Sequence, residues 1–134
     1  MACEITNDER LNMPKIMITG SRDWEDIPVI RQALYNAFVE LGADNETVLL
    51  SGHCSSGADL FAETIWNDEM GLPVELFPAD WESFGNYAGP KRNQQMVDEK
   101  PDIVLAFPKG ESKGTRGTIR MAEQAGLDVR MYSE

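Results

Sequence analysis

The chain has 134 residues, 42% of them hydrophobic, which suffices for one well-buried domain and is too little for two domains of ordinary size. Its 12 basic and 23 acidic residues give a net charge of −11, which disfavours broad electrostatic contact with a nucleic acid polymer or an anionic membrane. No apolar run approaches the roughly 20 residues that span a bilayer, and the polar start lacks a signal-peptide core, so we expect a soluble cytoplasmic protein.

The first elements follow a polar start. Residues 1–14 indicate a flexible N-terminal leader, and residues 15–134 the folded domain. The apolar run "KIMITG" (15–20) predicts a strand that ends in glycine. A helix is then expected to begin near Asp26, where a capping aspartate is closely followed by a proline, and to stop at Gly42.

The remaining chain repeats this alternation of strand and helix. The predicted elements are, in order, strand 47–52, helix 60–70, strand 73–78, helix 90–100, strand 102–108, helix 115–125 and strand 127–132. Strands that alternate with helices, without hairpin signals, are joined by right-handed crossovers. The sequence therefore predicts an α/β fold with a five-stranded, mostly parallel sheet flanked by helices.

Four loops should meet at one edge of this sheet. In a parallel sheet the carboxyl ends of the strands point the same way, and ligands bind at that edge. The loops after the first four strands are "TGSRDW" (19–24), "SGHCSSGAD" (51–59), "PADWESFGNYAGPKRN" (78–93) and "PKGESKGT" (108–115). Glycines between a strand and a helix allow backbone N–H groups to close around a phosphate, so these loops predict a phosphate site.

The loop motifs resemble a known family. The blocks "ITGSRDW", "SGHCSSGAD", "FPADW", "AGPKRN" and "AFPKGESKGT" occur in this order and resemble the DUF2493 (YAcAr-type) domains of the SLOG superfamily. That superfamily also holds the DNA-processing protein DprA and the LOG (lysine decarboxylase-like) phosphoribohydrolases that activate cytokinins. The resemblance implies a single Rossmann-like, three-layer domain with strand order 3-2-1-4-5.

The resemblance also implies a ligand. Members of the superfamily bind nucleotides or nucleotide-derived signals at the edge of the sheet, several occur in bacterial and phage conflict systems, and relatives commonly form homo-oligomers through their helices. Carried onto this chain, the binding positions are small or polar loop residues: Gly20, Ser21, Arg22, Ser51, Gly52, Gly57, Asp59, Arg92, Asn93, Ser112, Gly114 and Thr115.

One segment departs from the LOG pattern. LOG enzymes carry a glycine pair and then "GT" followed closely by glutamates. Here Lys109 replaces the first glycine, and Arg116, Gly117 and Thr118 stand where the acidic pair would begin. Without that carboxylate, LOG-type hydrolysis lacks an obvious group to stabilise an oxocarbenium ion or to activate water. The other carboxylates that could serve are Asp59, Asp80 and Glu111.

Each candidate also has a purely structural interpretation. Thr115 could donate to a phosphate or simply cap the last helix. Arg92 and Arg22 could grip a phosphate or be solvated surface arginines. Asp59 could bind ribose hydroxyls, or only stabilise the dipole of a helix N-terminus. Because the chain is acidic, a local cluster must reverse the potential at the site, and its candidates are Arg22, Arg92, Lys109, Lys113 and Arg116.

The only histidine, His53, and its neighbour Cys54 suggest a metal ligand or a nucleophile. No second Cys or His stands at ligand spacing, and no partner is visible that would make His53 a directed base. The sequence therefore predicts no metal site and no cofactor, and it gives no persuasive support for a disulfide between Cys3 and Cys54. Four loop aromatics could stack on a base, close a lid or bury an interface: Trp24, Trp81, Phe84 and Tyr87.

These observations favour a domain that binds a small, nucleotide-derived, phosphate-containing ligand and senses, sequesters or processes it. One alternative is an N-glycosidase that cleaves the N-glycosidic bond of a nucleotide, with Asp59 as the candidate catalytic residue. A second alternative is an interaction domain whose binding site is vestigial.

Overall fold

The computed structural model describes residues 13–42 and 46–133, so all but the end of the predicted leader lies outside the described residues. The strands of the sheet are β1 (Lys15–Gly20), β2 (Val48–Ser51), β3 (Val74–Leu76), β4 (Ile103–Phe107) and β5 (Val129–Met131). They form one sheet in the order β3-β2-β1-β4-β5. Every neighbouring pair is parallel. The predicted fold class, strand order and strand direction are confirmed.

Four helices cover the sheet: α1 (Ile27–Glu40), α2 (Ala58–Glu63), α3 (Ala88–Asp98) and α4 (Lys113–Gln124). A π-helical segment, Thr64–Glu69, extends α2. Among the described residues, no helix is long and apolar enough to cross a membrane.

Helix α1 begins where the sequence predicts, with Asp26 as its N-cap, whereas the other three helices begin two residues early. Helix α2 begins at Ala58 rather than at residue 60, because the tight turn at Gly57 already leads into it. Helix α4 begins at Lys113 rather than at residue 115, and its N-cap is Ser112. Thr115 is therefore the third residue of α4 and not its cap. The predicted loop 78–93 also contains a one-turn helix, Trp81–Phe84, which the carboxylate of Asp80 caps by accepting from Ser83 N at 3.1 Å.

The strand alternation divides the core between the two faces of the sheet. Ile16 and Ile18 of β1 face the cluster that contains residues of α1 and α2, whereas Met17 faces the cluster that contains residues of α3 and α4. Helices α3 and α4 therefore lie on the same face of the sheet. Their N-terminal ends stand beside the carboxyl end of β1, where the loops that follow the strands meet.

Candidate functional site

A cavity of about 430 Å³ opens at the carboxyl edge of the sheet. The end of β1 forms one part of its wall, and the N-terminal halves of α3 and α4 form two others. It is lined by nine of the predicted binding residues: Gly20, Ser21, Arg22, Asp59, Arg92, Asn93, Ser112, Gly114 and Thr115. Residues that are distant in the sequence thus share one concave surface, which is the usual shape of a small-molecule site.

The other three predicted binding residues do not line this cavity. Ser51 is fully buried, and its Oγ donates to Oε2 of Glu63 at 2.8 Å. Gly57 has a φ of +73°, and a Cβ there would lie 2.3 Å from the carbonyl oxygen of Ser21. Gly57 therefore allows two loops to pack together. Gly52 borders an adjoining chamber of about 260 Å³.

The side chain of Arg92 connects the two spaces. It projects from the first turn and a half of α3, is only 8% exposed and lines both the cavity and the adjoining chamber. Its Nη1 donates to the carbonyl oxygens of Gly52 at 2.5 Å and Phe77 at 3.5 Å, and its Nε donates to Oδ1 of Asn93 at 2.7 Å. No bond of Nη2 is seen within the described ranges. The guanidinium is thus held by three hydrogen bonds through Nε and Nη1.

Gly52 makes this placement of Arg92 possible. A Cβ on Gly52 would stand 2.6 Å from Nη1 and 2.8 Å from Cζ of Arg92, closer than non-bonded atoms approach. The guanidinium therefore lies directly against the backbone that follows β2. The absence of a side chain at Gly52 thus accommodates the guanidinium of Arg92.

The N-terminus of α4 forms another wall of the cavity. Ser112, Lys113, Gly114 and Thr115 all line the cavity. The N–H groups of a first helical turn have no acceptor inside the helix, and they carry part of the positive end of the helix dipole. Ser112 makes no side-chain capping bond to these groups. A Cβ on Gly114 would meet nothing within 4 Å, so this wall is open to an approaching anion.

Asp59 is a buried carboxyl in the wall of the cavity. It is the second residue of α2 and 5% exposed, and its Oδ2 accepts from Cys54 N at 3.4 Å. Burial raises the pKa of Asp59, while hydrogen bonds from Cys54 and the charge of Arg92 oppose this shift. Burial and the neighbouring Asp59 carboxylate raise the pKa of Cys54. Both effects favour the protonated thiol over the thiolate. The alternative carboxylates, Asp80 and Glu111, do not line the cavity.

The basic side chains divide into two groups. The cavity is lined by three basic side chains, Arg22, Arg92 and Lys113, and by two acidic ones, Asp23 and Asp59. The other predicted members of the basic cluster brace the loop before α4 instead. Lys109 Nζ donates to the carbonyl oxygen of Asp23 at 3.0 Å. Arg116 donates to the carbonyl oxygens of Gly110 at 2.9 Å and Glu111 at 3.0 Å.

His53 has a partner that sequence reasoning missed. Its Nδ1 lies 2.9 Å from Oε1 of Glu63, whose Oε2 accepts from Oγ of Ser51. Ser51 Oγ also accepts from the backbone N–H of His53 at 3.2 Å. The expectation that no partner directs this histidine is therefore wrong. Glu63 lies ten residues further along the chain, and only the packing of α2 against β2 brings it to the histidine.

The loop aromatics do not act as one group. Trp24 is 1% exposed and packs edge-on against Phe107 with the ring centroids 5.2 Å apart, so it belongs to the core and cannot stack on a base. Trp81 is half exposed and lines both the cavity and the adjoining chamber. Phe84 and Tyr87 are exposed away from both spaces. Of these four side chains, Trp81 is therefore the one that lines the cavity.

Comparison with known proteins gives two matches. Residues 14–84 match the model of the YspA, cpYpsA-related SLOG family. The chain is also 35% identical over 125 residues to the Gene 61 protein of Mycobacterium phage D29, an alignment that covers 91% of this chain and 98% of the phage protein. No solved structure matches the chain significantly.

Proposed function

The chain belongs to the YspA, cpYpsA-related SLOG family, and we propose that it binds a small, nucleotide-derived, phosphate-containing ligand in the cavity between α3 and α4. The buried guanidinium of Arg92 carries this proposal. A charge at 8% exposure is costly unless something on the protein or a ligand compensates it. The carbonyls of Gly52 and Phe77, Oδ1 of Asn93 and the charge interaction with Asp59 compensate part of it, and a phosphate oxygen at Nη2 would add a charge-assisted hydrogen bond.

The wall that α4 forms suits the same ligand. Backbone N–H groups at the N-terminus of α4 and the ammonium of Lys113 provide donors and positive charge, and the hydroxyl of Thr115 lies on the same wall. Burial raises the pKa of Asp59, so this carboxyl ionises less readily than one in solvent. The chain as a whole has a net charge of −11 and repels anions, whereas the locally positive cavity attracts them. An anionic ligand is therefore expected to bind in the cavity and not elsewhere on the surface.

The dimensions also fit a nucleotide fragment. A volume of about 430 Å³ falls in the range that small-molecule sites occupy. Trp81 at the rim offers an aromatic face on which a base can stack, at the boundary with the adjoining chamber. A phosphate held between Arg92 and α4 therefore leaves room for a ribose and a base toward the rim.

The test is direct measurement of binding. Native mass spectrometry of freshly purified protein should detect a co-purified nucleotide-like mass, and calorimetry with nucleoside monophosphates and ADP-ribose should give affinities that weaken as salt is added. A protein that carries no small molecule and binds none of these probes would contradict the proposal.

A second candidate function rests on Asp59. Cleavage of the N-glycosidic bond of a nucleotide needs a carboxyl group near the anomeric carbon, and Asp59 is a cavity-lining carboxyl buried enough for its pKa to be raised. A raised pKa favours a role for this carboxyl as the general acid that protonates the departing base. Chromatographic detection of free base from nucleoside monophosphates, abolished in Asp59→Asn, would support this activity, and its absence in the wild type would dismiss it.

A further inference from the structure

His53, Glu63 and Ser51 form an oriented histidine beside the proposed ligand cavity. The two oxygens of the Glu63 carboxylate are both engaged, Oε1 with His53 Nδ1 at 2.9 Å and Oε2 with Ser51 Oγ at 2.8 Å. Glu63 is largely buried, with a side chain 14% exposed, while that of His53 is 53% exposed. A carboxylate on Nδ1 fixes the imidazole tautomer so that Nε2 carries the lone pair. This is the arrangement by which enzymes direct a general base.

The backbone supports the same orientation. His53 adopts a left-handed conformation with φ of +58°, which is uncommon for a residue other than glycine. Such a conformation persists where the surroundings hold it, here through the bond from His53 N to Ser51 Oγ. Glu63 thus holds the ring of His53, and Ser51 holds its backbone.

The chamber that His53 lines indicates which reaction it could assist. That chamber of about 260 Å³ adjoins the main cavity, and both spaces share Arg22, Arg92, Cys54 and Trp81. Its lining contains two guanidinium groups and, among the described residues, no carboxylate. Glycosidic cleavage develops positive charge, which arginines oppose, whereas attack on a phosphoryl group builds negative charge, which arginines stabilise.

We propose that His53, positioned by Glu63, is a general base that activates water for hydrolysis of a phosphoanhydride bond in a nucleoside diphosphate-type ligand. The idea rests on the proposed function, because the ligand's phosphates must first be held by Arg92 and α4. A water O–H proton moves to Nε2 of His53, and the water oxygen forms a new bond to phosphorus. The bridging P–O bond breaks, and its electron pair leaves on the departing phosphate, which needs no proton. The half-exposed imidazole then releases its proton to solvent.

The kinetic test uses ADP and ADP-ribose as substrates in buffer containing Mg²⁺, with AMP as a matched probe that has no anhydride bond. The wild type should release AMP from both substrates. His53→Asn, which tolerates the left-handed backbone but cannot act as a base, should lower kcat by about 100-fold or more with ADP binding unchanged. Glu63→Gln should lower kcat with little change in KM, and Asp68→Asn, an exposed change nearby, should be silent.

A spectroscopic test of the positioning needs no ligand. Because His53 is the only histidine of the chain, its imidazole ¹⁵N signals are unambiguous. At alkaline pH the wild type should show the Nδ1–H tautomer, and Glu63→Ala, which removes the acceptor, should shift the population toward Nε2–H, the usual preference of a free imidazole. An unchanged tautomer in Glu63→Ala would contradict a positioning role for this carboxylate.

The outcomes separate the two proposals. Binding of ADP without release of AMP, or equal rates for the wild type and His53→Asn, would overturn the catalytic inference and leave the proposed function standing. Failure of ADP, ADP-ribose and AMP to bind would overturn both. Release of free base instead of AMP would also overturn the inference, because it would locate the chemistry at the glycosidic bond.

Discussion

Replacing Arg92 by alanine tests the proposed site most directly. The guanidinium has five N–H donors, and the bonds seen in the structure use Nε and Nη1 but not Nη2. A hydrogen bond to a charged group contributes about 1.5–3 kcal/mol, so loss of the Nη2 contact should weaken binding of AMP or ADP-ribose by about 10- to 150-fold.

The same substitution has a structural cost that must be separated from the loss of affinity. Without the guanidinium, the buried carbonyl of Gly52 loses its partner, which should lower the free energy of unfolding by about 1–3 kcal/mol. Calorimetry must therefore be done well below the unfolding midpoint of the variant. Arg92→Lys keeps the charge but not the planar fork, so its affinity should lie between those of wild type and Arg92→Ala.

Arg120→Ala is the matched control for charge. Arg120 is an exposed residue of α4 that lines neither the cavity nor the adjoining chamber, and its removal changes the net charge by the same amount. The affinity of Arg120→Ala for AMP or ADP-ribose should stay near that of the wild type. Wild-type affinity in folded Arg92→Ala would remove Arg92 from the site and refute the reasoning from its burial.

Three further predictions follow from local contacts. Gly57→Ala should destabilise the fold by more than about 1 kcal/mol in denaturant titration, because φ of Gly57 is +73° and the new Cβ would clash with Ser21 O. A neutral effect would contradict the tight packing of the loop after β2 against the loop after β1. Asp59→Asn should raise the unfolding midpoint at neutral pH, and this gain in stability should disappear toward acid pH. The reason is that a carboxyl whose pKa is raised in the folded state destabilises the fold as pH rises through that pKa. A gain in stability that does not depend on pH would argue against burial of the carboxyl as its cause. Alkylation of Cys54 should be slower than alkylation of an exposed thiol. It should be faster in Asp59→Asn than in the wild type, because the Asp59 carboxylate helps to raise the pKa of the thiol. Equal rates in the two proteins would contradict this effect of Asp59 on Cys54.

The fold could be predicted because its signals are local. Short apolar runs that end in glycine or proline, alternating with helical periodicity, define a parallel α/β sheet, and the resemblance implied the strand order that the structure shows. The one-turn helix Trp81–Phe84 was missed although Asp80 supplies a capping signal. Four residues are too few for the apolar periodicity by which helices are recognised.

The gathering of loop residues at one edge was predictable from topology, but their individual environments were not. Trp24 and Trp81 look alike in the sequence, yet one packs on Phe107 in the core and the other borders the cavity. The partnership of His53 with Glu63 depends on how α2 packs against β2, which no local pattern specifies. Side-chain pairing between elements is set by tertiary packing, so it becomes visible only with the structure.

The loop between β2 and α2 illustrates why a glycine pattern alone does not define a phosphate loop. A glycine there suggests that a ligand approaches the backbone, but at Gly52 the approaching group is the guanidinium of Arg92, and at Gly57 it is the carbonyl of Ser21. Both glycines thus act indirectly, by allowing other groups to come close. One of them places the cation that we propose holds the phosphate, and the other fixes the turn into α2, which carries Asp59 and Glu63. Substitutions in this loop should therefore affect binding through Arg92 and any hydrolysis through His53, and these two effects can be measured separately.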